Sequence, residues 1–206
     1  MRVLNLYAGL GGNRKFWPNE VEVTAVEIDA NIAAEYKKNF PNDQVLVEDA
    51  HQYLLNHFDE FDFIWSSPPC PTHSTLRHAV VLHGDLKPMF PSMILYEEVI
   101  FLQSYSKCPF VVENVVSYYD PLIKPQERDR HYFWSNFYIP LYKRVCSETI
   151  REIEHSSIVF GFDVRESAID DKRKALRNCV DPDLGFHVFI SAFKVKQEVL
   201  IKGGGA

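Results

Sequence analysis

A cysteine that follows two prolines is the residue with the clearest chemical potential in this 206-residue sequence. Cys70 stands directly after Pro68 and Pro69, at the end of an apolar run, and prolines fix the backbone that carries the thiol. A free cysteine is commonly a small buried apolar residue. The proline flanks and the position at a predicted strand end instead favour a thiol directed at a ligand above the sheet.

Two further blocks supply an acid and cations. Glu113 and Asn114 follow another predicted strand, and we expect Glu113 beside Cys70 because neighbouring parallel strands end at one edge of a sheet. A buried glutamic acid can keep its proton at neutral pH and donate it. Arg128 and Arg130 alternate, so in an extended chain they would face one side, although solvated surface charge is the ordinary alternative.

A glycine-rich turn and two acids indicate a cofactor site. Gly9, Gly11 and Gly12 follow the first predicted strand, and their spacing matches neither a dinucleotide-binding motif nor a phosphate loop. Glu27 ends the second strand, where a carboxylate suits a ribose diol, and Asp49 ends the third. The pattern predicts an adenosine cofactor without a phosphate chain, which fits S-adenosylmethionine better than NAD. The alternative is that both acids only cap helices.

Strands alternate with helices in the first half of the chain, which predicts βαβ units and a parallel sheet. Strands are predicted at 2–7, 21–28, 44–47, 61–65 and 109–112, and helices at 30–39, 50–58 and 91–105. Between them, 71–90 has weak periodicity and predicts a long functional loop. In the second half we expect a strand at 131–139, a helix at 170–178 and either a helix or a strand at 184–196.

Composition excludes several classes of protein. With 46% apolar and 14% aromatic residues, disorder is not expected, and no apolar run reaches the roughly 20 residues that span a bilayer. Four dispersed cysteines argue against a disulfide framework and against a metal site. The net charge of −6 argues against a tail-driven nucleic-acid binder but leaves a local basic face open. We therefore expect one soluble intracellular domain without a membrane partner.

These blocks, in this order, resemble the C5-cytosine DNA methyltransferase family. The blocks are 6–12, 26–27, Asp49, 68–70, 113–115 and the Gln-x-Arg-x-Arg run at 126–130, with a further block at 177–182 that is similar to Gly-Asn-x-Val-Pro-Pro. The resemblance covers roughly 1–140 and 170–193. It implies a doubly wound, mostly parallel α/β sheet of the Rossmann-like, S-adenosylmethionine-dependent methyltransferase type, and an enzyme that methylates C5 of cytosine in DNA.

The resemblance also implies a role for each block. Cys70 would add to C6 of a flipped cytosine, and Glu113 would contact N3. Arg130 would bind O2 with support from Arg128, and Asn114 would brace the loop that holds the cysteine. The residues that would line the cofactor site are Tyr7, Gly9, Gly11, Gly12, Glu27, Ile28, Asp49, Pro69, Asn178 and Val180. The segment 71–90 would close over the base, with candidate contacts at Thr72, His73, Ser74, Arg77 and Lys87.

The sequence also departs from the family. Pro71, Arg177 and Asp181 replace the usual residues, and only a reduced target-recognition region fits into 138–169. This resembles short phage and prophage forms, whose setting would be restriction-modification in a bacterial or phage-infected cytoplasm. In one catalytic domain over 1–206, the segment 170–196 would pack back on the cofactor side.

The sequence leaves the substrate and part of the function open. The same chemistry could serve RNA or a free cytosine nucleotide, or the fold could be degenerate and only bind nucleic acid or a partner. The joint presence of Cys70, Glu113 and Arg130 favours an enzyme. The sequence does not define the recognised bases, the strand state, the oligomeric state or a restriction partner.

Overall fold

A seven-stranded sheet forms the centre of the protein. The structure, a computed structural model, describes residues 1–142 and 160–202. The strands are β1 (Arg2–Leu6), β2 (Glu22–Val26), β3 (Gln44–Leu46), β4 (Phe63–Ser66), β5 (Phe110–Val115), β6 (Gln126–Arg128) and β7 (His131–Ser135). Their order is β3-β2-β1-β4-β5-β7-β6, and only the pairs β5–β7 and β6–β7 are antiparallel. The predicted doubly wound, mostly parallel α/β sheet is confirmed.

Helices cover both faces of this sheet. They are α1 (Ala30–Asn39), α2 (Ala50–His57), α3 (Thr75–Leu82), α4 (Ile94–Tyr105), α5 (Lys172–Arg177) and α6 (Pro182–Lys202), with a short 3-10 turn at Phe58–Glu60. The bounds of α1 agree with the prediction, and its cap is Asp29, whose Oδ1 accepts from the N–H groups of Asn31 and Ile32 at 2.9 and 3.1 Å. The segment 184–196, left open between helix and strand, is part of α6.

The core lies on both sides of the central strands. On one face, Val3 of β1 and Trp65 of β4 pack with Trp17 and the first three turns of α6. On the other face, Leu4 and Ile64 of the same strands pack with α2 and α4. Strands that are buried on both faces read as continuous apolar runs, which is why their positions could be predicted. The order also makes β1 and β4 neighbours, and ligands of open α/β sheets bind beyond the carboxyl ends of strands at such a switch point.

The prediction of a long loop over 71–90 is wrong, because 75–82 form helix α3. Ser74 caps this helix, with its Oγ accepting from the N–H of Arg77 at 3.4 Å. None of the α3 side chains is buried. With eight residues, α3 has only about two turns, which is too short for a clear helical period in the sequence.

Two other parts of the chain bear on the predictions. The segment 143–159, which makes up most of the expected target-recognition region, lies outside the described residues. Within the described part, none of the helices is at once long enough and apolar enough to cross a bilayer.

Candidate active site

The loop after β4 carries Cys70 and is held by the strand beside it. Asn114, at the end of β5, donates from Nδ2 to the carbonyl of Pro68 at 2.9 Å, and its Oδ1 accepts from the N–H of Val115 at 3.0 Å. Asn114 is 2% exposed, so both ends of its amide are used inside the protein. The side chain therefore fixes the backbone two residues before the thiol.

The thiol of Cys70 is half-buried, and its surroundings favour the protonated form. Burial raises the pKa of Cys70 most, and the negative charge of Glu113 raises it further. The positive charges of Lys174 and Arg177, two exposed residues of α5, act in the opposite direction and lower this pKa. Because a thiolate is the nucleophilic form of cysteine, any reaction of this thiol has to be coupled to loss of its proton.

Glu113 lies near the end of β5 with a histidine against it. The carboxylate is 6% exposed, and its Oε1 is 2.5 Å from Nδ1 of His131, the first residue of β7. The pairing of Val115 with His131 in the antiparallel β5–β7 ladder brings the two side chains to one face. Sequence reasoning missed His131, because the antiparallel pairing of β7 with β5 was not predicted.

The two arginines do not lie in one extended segment as predicted. Asp129 between them has φ of 53°, so the chain turns there and β6 ends at Arg128. The guanidinium of Arg128 donates to the carbonyls of Ile139 and Pro140 and fixes the chain beyond β7. Arg130 is exposed in the turn, and no hydrogen bond or ion pair to its guanidinium occurs within the described ranges.

Hydrogen bonds of Thr72 and His73 attach the start of the predicted substrate loop to other parts of the protein. Thr72 Oγ1 accepts from the N–H of Ser92 at 2.9 Å. His73 is 1% exposed, so its side chain points inward, with Nδ1 at 2.6 Å from the Tyr119 hydroxyl. Burial lowers the pKa of His73, which keeps the ring neutral.

The two basic candidates farther along the loop differ in their surroundings. The side chain of Arg77 is half-buried and reaches Met89 Sδ at 3.0 Å, whereas Lys87 is exposed.

The glycine turn after β1 is shaped by packing as well as by backbone conformation. Gly9 has φ of +55°, and a Cβ added there would find nothing closer than 4.0 Å. Gly11 has φ of +85°, and an added Cβ would lie 2.3 Å from Phe40, the residue that follows α1. A Cβ on Gly12 would lie 2.4 Å from the carbonyl of Val180. Space for a ligand is therefore open above Gly9. The other two glycines lack a side chain because neighbouring parts of the protein pack directly against their backbone.

The two acids at the ends of β2 and β3 are both bonded to backbone N–H groups, but of the two only Asp49 caps a helix. Glu27 accepts from the N–H of Gly9 at 2.9 Å through Oε2 and from that of Asp29 at 3.0 Å through Oε1. Asp49 caps α2, with Oδ1 accepting from the N–H of Gln52 at 2.9 Å. A carboxylate has about four lone-pair sites, so each acid keeps acceptor capacity for a ligand.

Further residues around the turn complete the cradle. Ile28 is 68% exposed beside Glu27, a position that an apolar ring could cover. Pro69 and Asn178 are exposed, but the side chain of Val180 is 5% exposed and packs in the core. Val180 therefore borders the glycine turn with its backbone and not with its side chain. The open backbone, two acids with spare acceptors and an exposed apolar face fit an adenosine cofactor without phosphates.

A buried polar cluster below the turn was not predicted. Glu98 of α4 is 0% exposed and accepts from the hydroxyls of Tyr7 at 2.6 Å and Ser66 at 2.5 Å. His51 Nδ1 lies 3.1 Å from the same carboxylate. Burial raises the pKa of Tyr7, and Glu98 raises it further, so the phenol remains a donor. These contacts join the ends of β1 and β4 to two helices beneath the cofactor end.

Residues 1–121 match the sequence model of the family described as C-5 cytosine-specific DNA methylase. A human tRNA (cytosine(38)-C(5))-methyltransferase is 26% identical over 222 residues, which covers 90% of this chain and 54% of the relative. The bovine protein of the same name is 33% identical over 93 residues, or 42% of this chain and 22% of the relative. Among solved structures, Spodoptera frugiperda DNMT2 is 27% identical with a TM-score of 0.37, and the match covers 55% of this chain and 35% of that one.

The matched family model covers more than half of the chain, and the chain spans about half the length of the human relative. S-adenosylmethionine is the cofactor of this family, so the cofactor predicted from the glycine turn and the two acids is confirmed. The predicted resemblance is confirmed in the same way. This chain belongs to the C-5 cytosine-specific DNA methylase family.

Proposed function

We propose that this chain transfers a methyl group from S-adenosylmethionine to C5 of cytosine in a nucleic acid, with DNA as the first substrate. The observation that carries the proposal is the juxtaposition of Cys70 and Glu113 at the ends of the neighbouring strands β4 and β5. The bond from Asn114 to the Cys70 loop supports it, because a nucleophile has to be held in position. When bound, the cofactor supplies an electrophilic methyl group on a sulfonium sulfur.

In the proposed reaction, Sγ of Cys70 forms a bond to C6 of the cytosine ring, which makes C5 nucleophilic. The thiol proton leaves to solvent, and a proton from the carboxyl of Glu113 passes to N3. Negative charge that develops at O2 is stabilised by the guanidinium of Arg130, whose exposed position leaves it available. Once C5 carries the methyl group, which leaves a neutral thioether behind, loss of the C5 proton to solvent forms the C5–C6 double bond and breaks the bond from C6 to sulfur. The proton on N3 returns to the Glu113 carboxylate, and the released thiolate regains a proton from solvent.

The description of the matched family supports DNA as the substrate, whose target base would have to leave the stack to enter the site. The exposed residues of α3 and of the segment after it would then lie over the flipped cytosine, together with the half-buried Arg77 and the exposed Lys87. Because the sequence of 138–169 offers few side chains that could contact base edges, we expect a short or relaxed recognition sequence. A bacterial or phage setting and a cytoplasmic location stay predictions.

Transfer RNA is the second candidate substrate, and a specific observation favours it. The human and bovine relatives are both named tRNA (cytosine(38)-C(5))-methyltransferases, and the human match extends over 90% of this chain. The proposed chemistry at Cys70 and Glu113 is the same for cytosine in either polymer. The two candidate substrates therefore differ only in the nucleic acid around the target cytosine, which the protein would have to bind.

One assay separates the candidates. The protein is incubated with labelled S-adenosylmethionine and, in parallel, with duplex DNA, single-stranded DNA, transfer RNA and cytidine triphosphate, and the nucleosides are then analysed by mass spectrometry. We expect 5-methyldeoxycytidine from DNA, and none from Cys70→Ala. 5-Methylcytidine from tRNA alone would assign the second substrate, and no methylated nucleoside from any of the four would refute the proposed function.

A further inference from the structure

The strongest unassigned feature of the site is the contact between His131 and Glu113. Two ionisable side chains from neighbouring strands meet at 2.5 Å, with side-chain exposures of 18% and 7%. Pairs of this kind that lie beside a nucleophile are typical of catalytic machinery. Neither composition nor motif spacing pointed to His131.

The surroundings of this histidine define what it can do. Its ring lies near Phe133, on the same face of β7, with the centroids 6.2 Å apart. Arg128 pairs with His131 across the β6–β7 ladder, but its guanidinium is bonded to the carbonyls of 139 and 140. Among the described residues, Glu113 is thus the polar group in contact with the imidazole. The contact is to Oε1, and the other carboxyl oxygen, Oε2, has no contact with the histidine.

We propose that His131 is a positioning residue that donates from Nδ1 to Oε1 of Glu113, so that the proton which this carboxyl takes up in the complex with cytosine is carried on Oε2. This inference rests on the proposed function, in which that proton passes to N3 of cytosine. A carboxyl oxygen that accepts a strong hydrogen bond is a poor site for the proton, so the proton occupies the other oxygen. Without the histidine, the proton would be shared between two orientations, of which one faces the substrate.

The same bond acts again after the proton has left. Transfer to N3 converts Glu113 into a carboxylate inside a nearly buried site, and an unpaired buried charge is unfavourable. The N–H of His131 already points at this carboxylate, so no rearrangement is needed at that moment. When the proton returns from N3 to Oε2 at the end of the reaction, the starting arrangement is restored.

The test measures how fast Cys70 is trapped by oligonucleotides that contain 5-fluorocytosine, in DNA and in tRNA, in single turnovers with saturating cofactor. We expect His131→Phe to lower the trapping rate by about ten- to a hundredfold, because the charged form of Glu113 loses a hydrogen bond. Cofactor affinity, measured by calorimetry, should be unchanged. His131→Asn should recover most of the rate, since its Nδ2 can donate from nearly the same place.

A mutant cycle distinguishes positioning from a structural role. Combined with Glu113→Gln, His131→Phe should have little additional effect, because its action passes through the carboxyl. Tyr132→Phe is the matched control on β7, since Tyr132 packs in the cluster on the other face, and it should react at the wild-type rate. If His131→Phe fails to bind cofactor and so to fold, His131→Leu takes its place.

The outcomes are separable. A wild-type rate in His131→Phe, an equal loss in the Glu113→Gln background, or no recovery in His131→Asn would each overturn the assignment of His131 alone. If the wild-type protein traps 5-fluorocytosine in neither DNA nor tRNA, the proposed function fails and the assignment fails with it.

Discussion

At the cofactor end, the carboxylates of Glu27 and Asp49 are bonded to backbone N–H groups of the turn and of α2. At the chemical end, the guanidinium of Arg130 has no such partner in the described ranges, and the Cys70 thiol is kept protonated by its surroundings. The carboxylates at the cofactor end are therefore bonded into the fold, whereas Cys70 and Arg130 at the chemical end stand on a loop and in a turn. Changes at the cofactor end should affect stability as well as binding, and changes at Cys70 or Arg130 should affect reactivity alone.

The largest effect is expected for Gly11→Ala at the cofactor end. Its Cβ would lie 2.3 Å from Phe40, and the residue would keep a φ of +85°. Overpacking and the left-handed conformation together should lower the free energy of unfolding by about 2–4 kcal/mol. Gly9→Ala is the matched control, because it has the same kind of φ but open space, and it should cost about 1–2 kcal/mol. Urea unfolding measures both, and equal losses would show that packing against α1 is not decisive.

The next effect concerns the affinity for S-adenosylmethionine. Glu27→Ala removes a carboxylate that accepts from the N–H of Gly9, and loss of a charged hydrogen bond should weaken binding by about ten- to a hundredfold. Cys70→Ala should leave the affinity unchanged, since the thiol belongs to the chemical end. Calorimetry decides between these outcomes, and an unaltered affinity in Glu27→Ala would remove this carboxylate from the cofactor site.

The smallest effect is a change in thiol reactivity without a change in fold. Because burial and Glu113 raise the pKa of Cys70, its alkylation by iodoacetamide should be slow at neutral pH and speed up as the pH rises through the raised value. Glu113→Gln removes one cause, so the profile should move to lower pH, and Lys174→Gln should move it to higher pH. Cys108, whose pKa is raised by burial and not by Glu113, is the internal control. Identical profiles in all three proteins would contradict the electrostatic coupling.

Local signals explain why much of the fold could be predicted from the sequence. The strands β1 to β5 are rich in apolar residues, and α1 has the cap Asp29 and a stop before Pro41, so neither signal depends on distant contacts. The chemical blocks also stand at predicted strand ends. A parallel sheet brings such ends together whatever the details of packing, and Cys70 and Glu113 are neighbours for this reason.

The features that were missed depend on tertiary structure. The hairpin at Asp129 needs a left-handed residue that is not glycine, and the antiparallel register of β5 with β7 brings His131 to Glu113. Glu98 lies in an apolar helix and accepts a hydrogen bond from the hydroxyl of Tyr7, 91 residues away in the chain. Such pairs carry no periodic signal, because only the folded sheet makes them neighbours.

Covalent trapping shows whether the Cys70 thiol is the nucleophile that attacks cytosine. The protein is incubated with S-adenosylmethionine and with DNA or tRNA that carries 5-fluorocytosine, and any denaturant-resistant complex is digested and mapped by mass spectrometry. We expect a complex in which the thiol of Cys70 is joined to the base, and its loss in Cys70→Ser with cofactor binding intact. A complex that maps to Cys108, Cys146 or Cys179, or one that persists in Cys70→Ser, would contradict the assignment of the nucleophile.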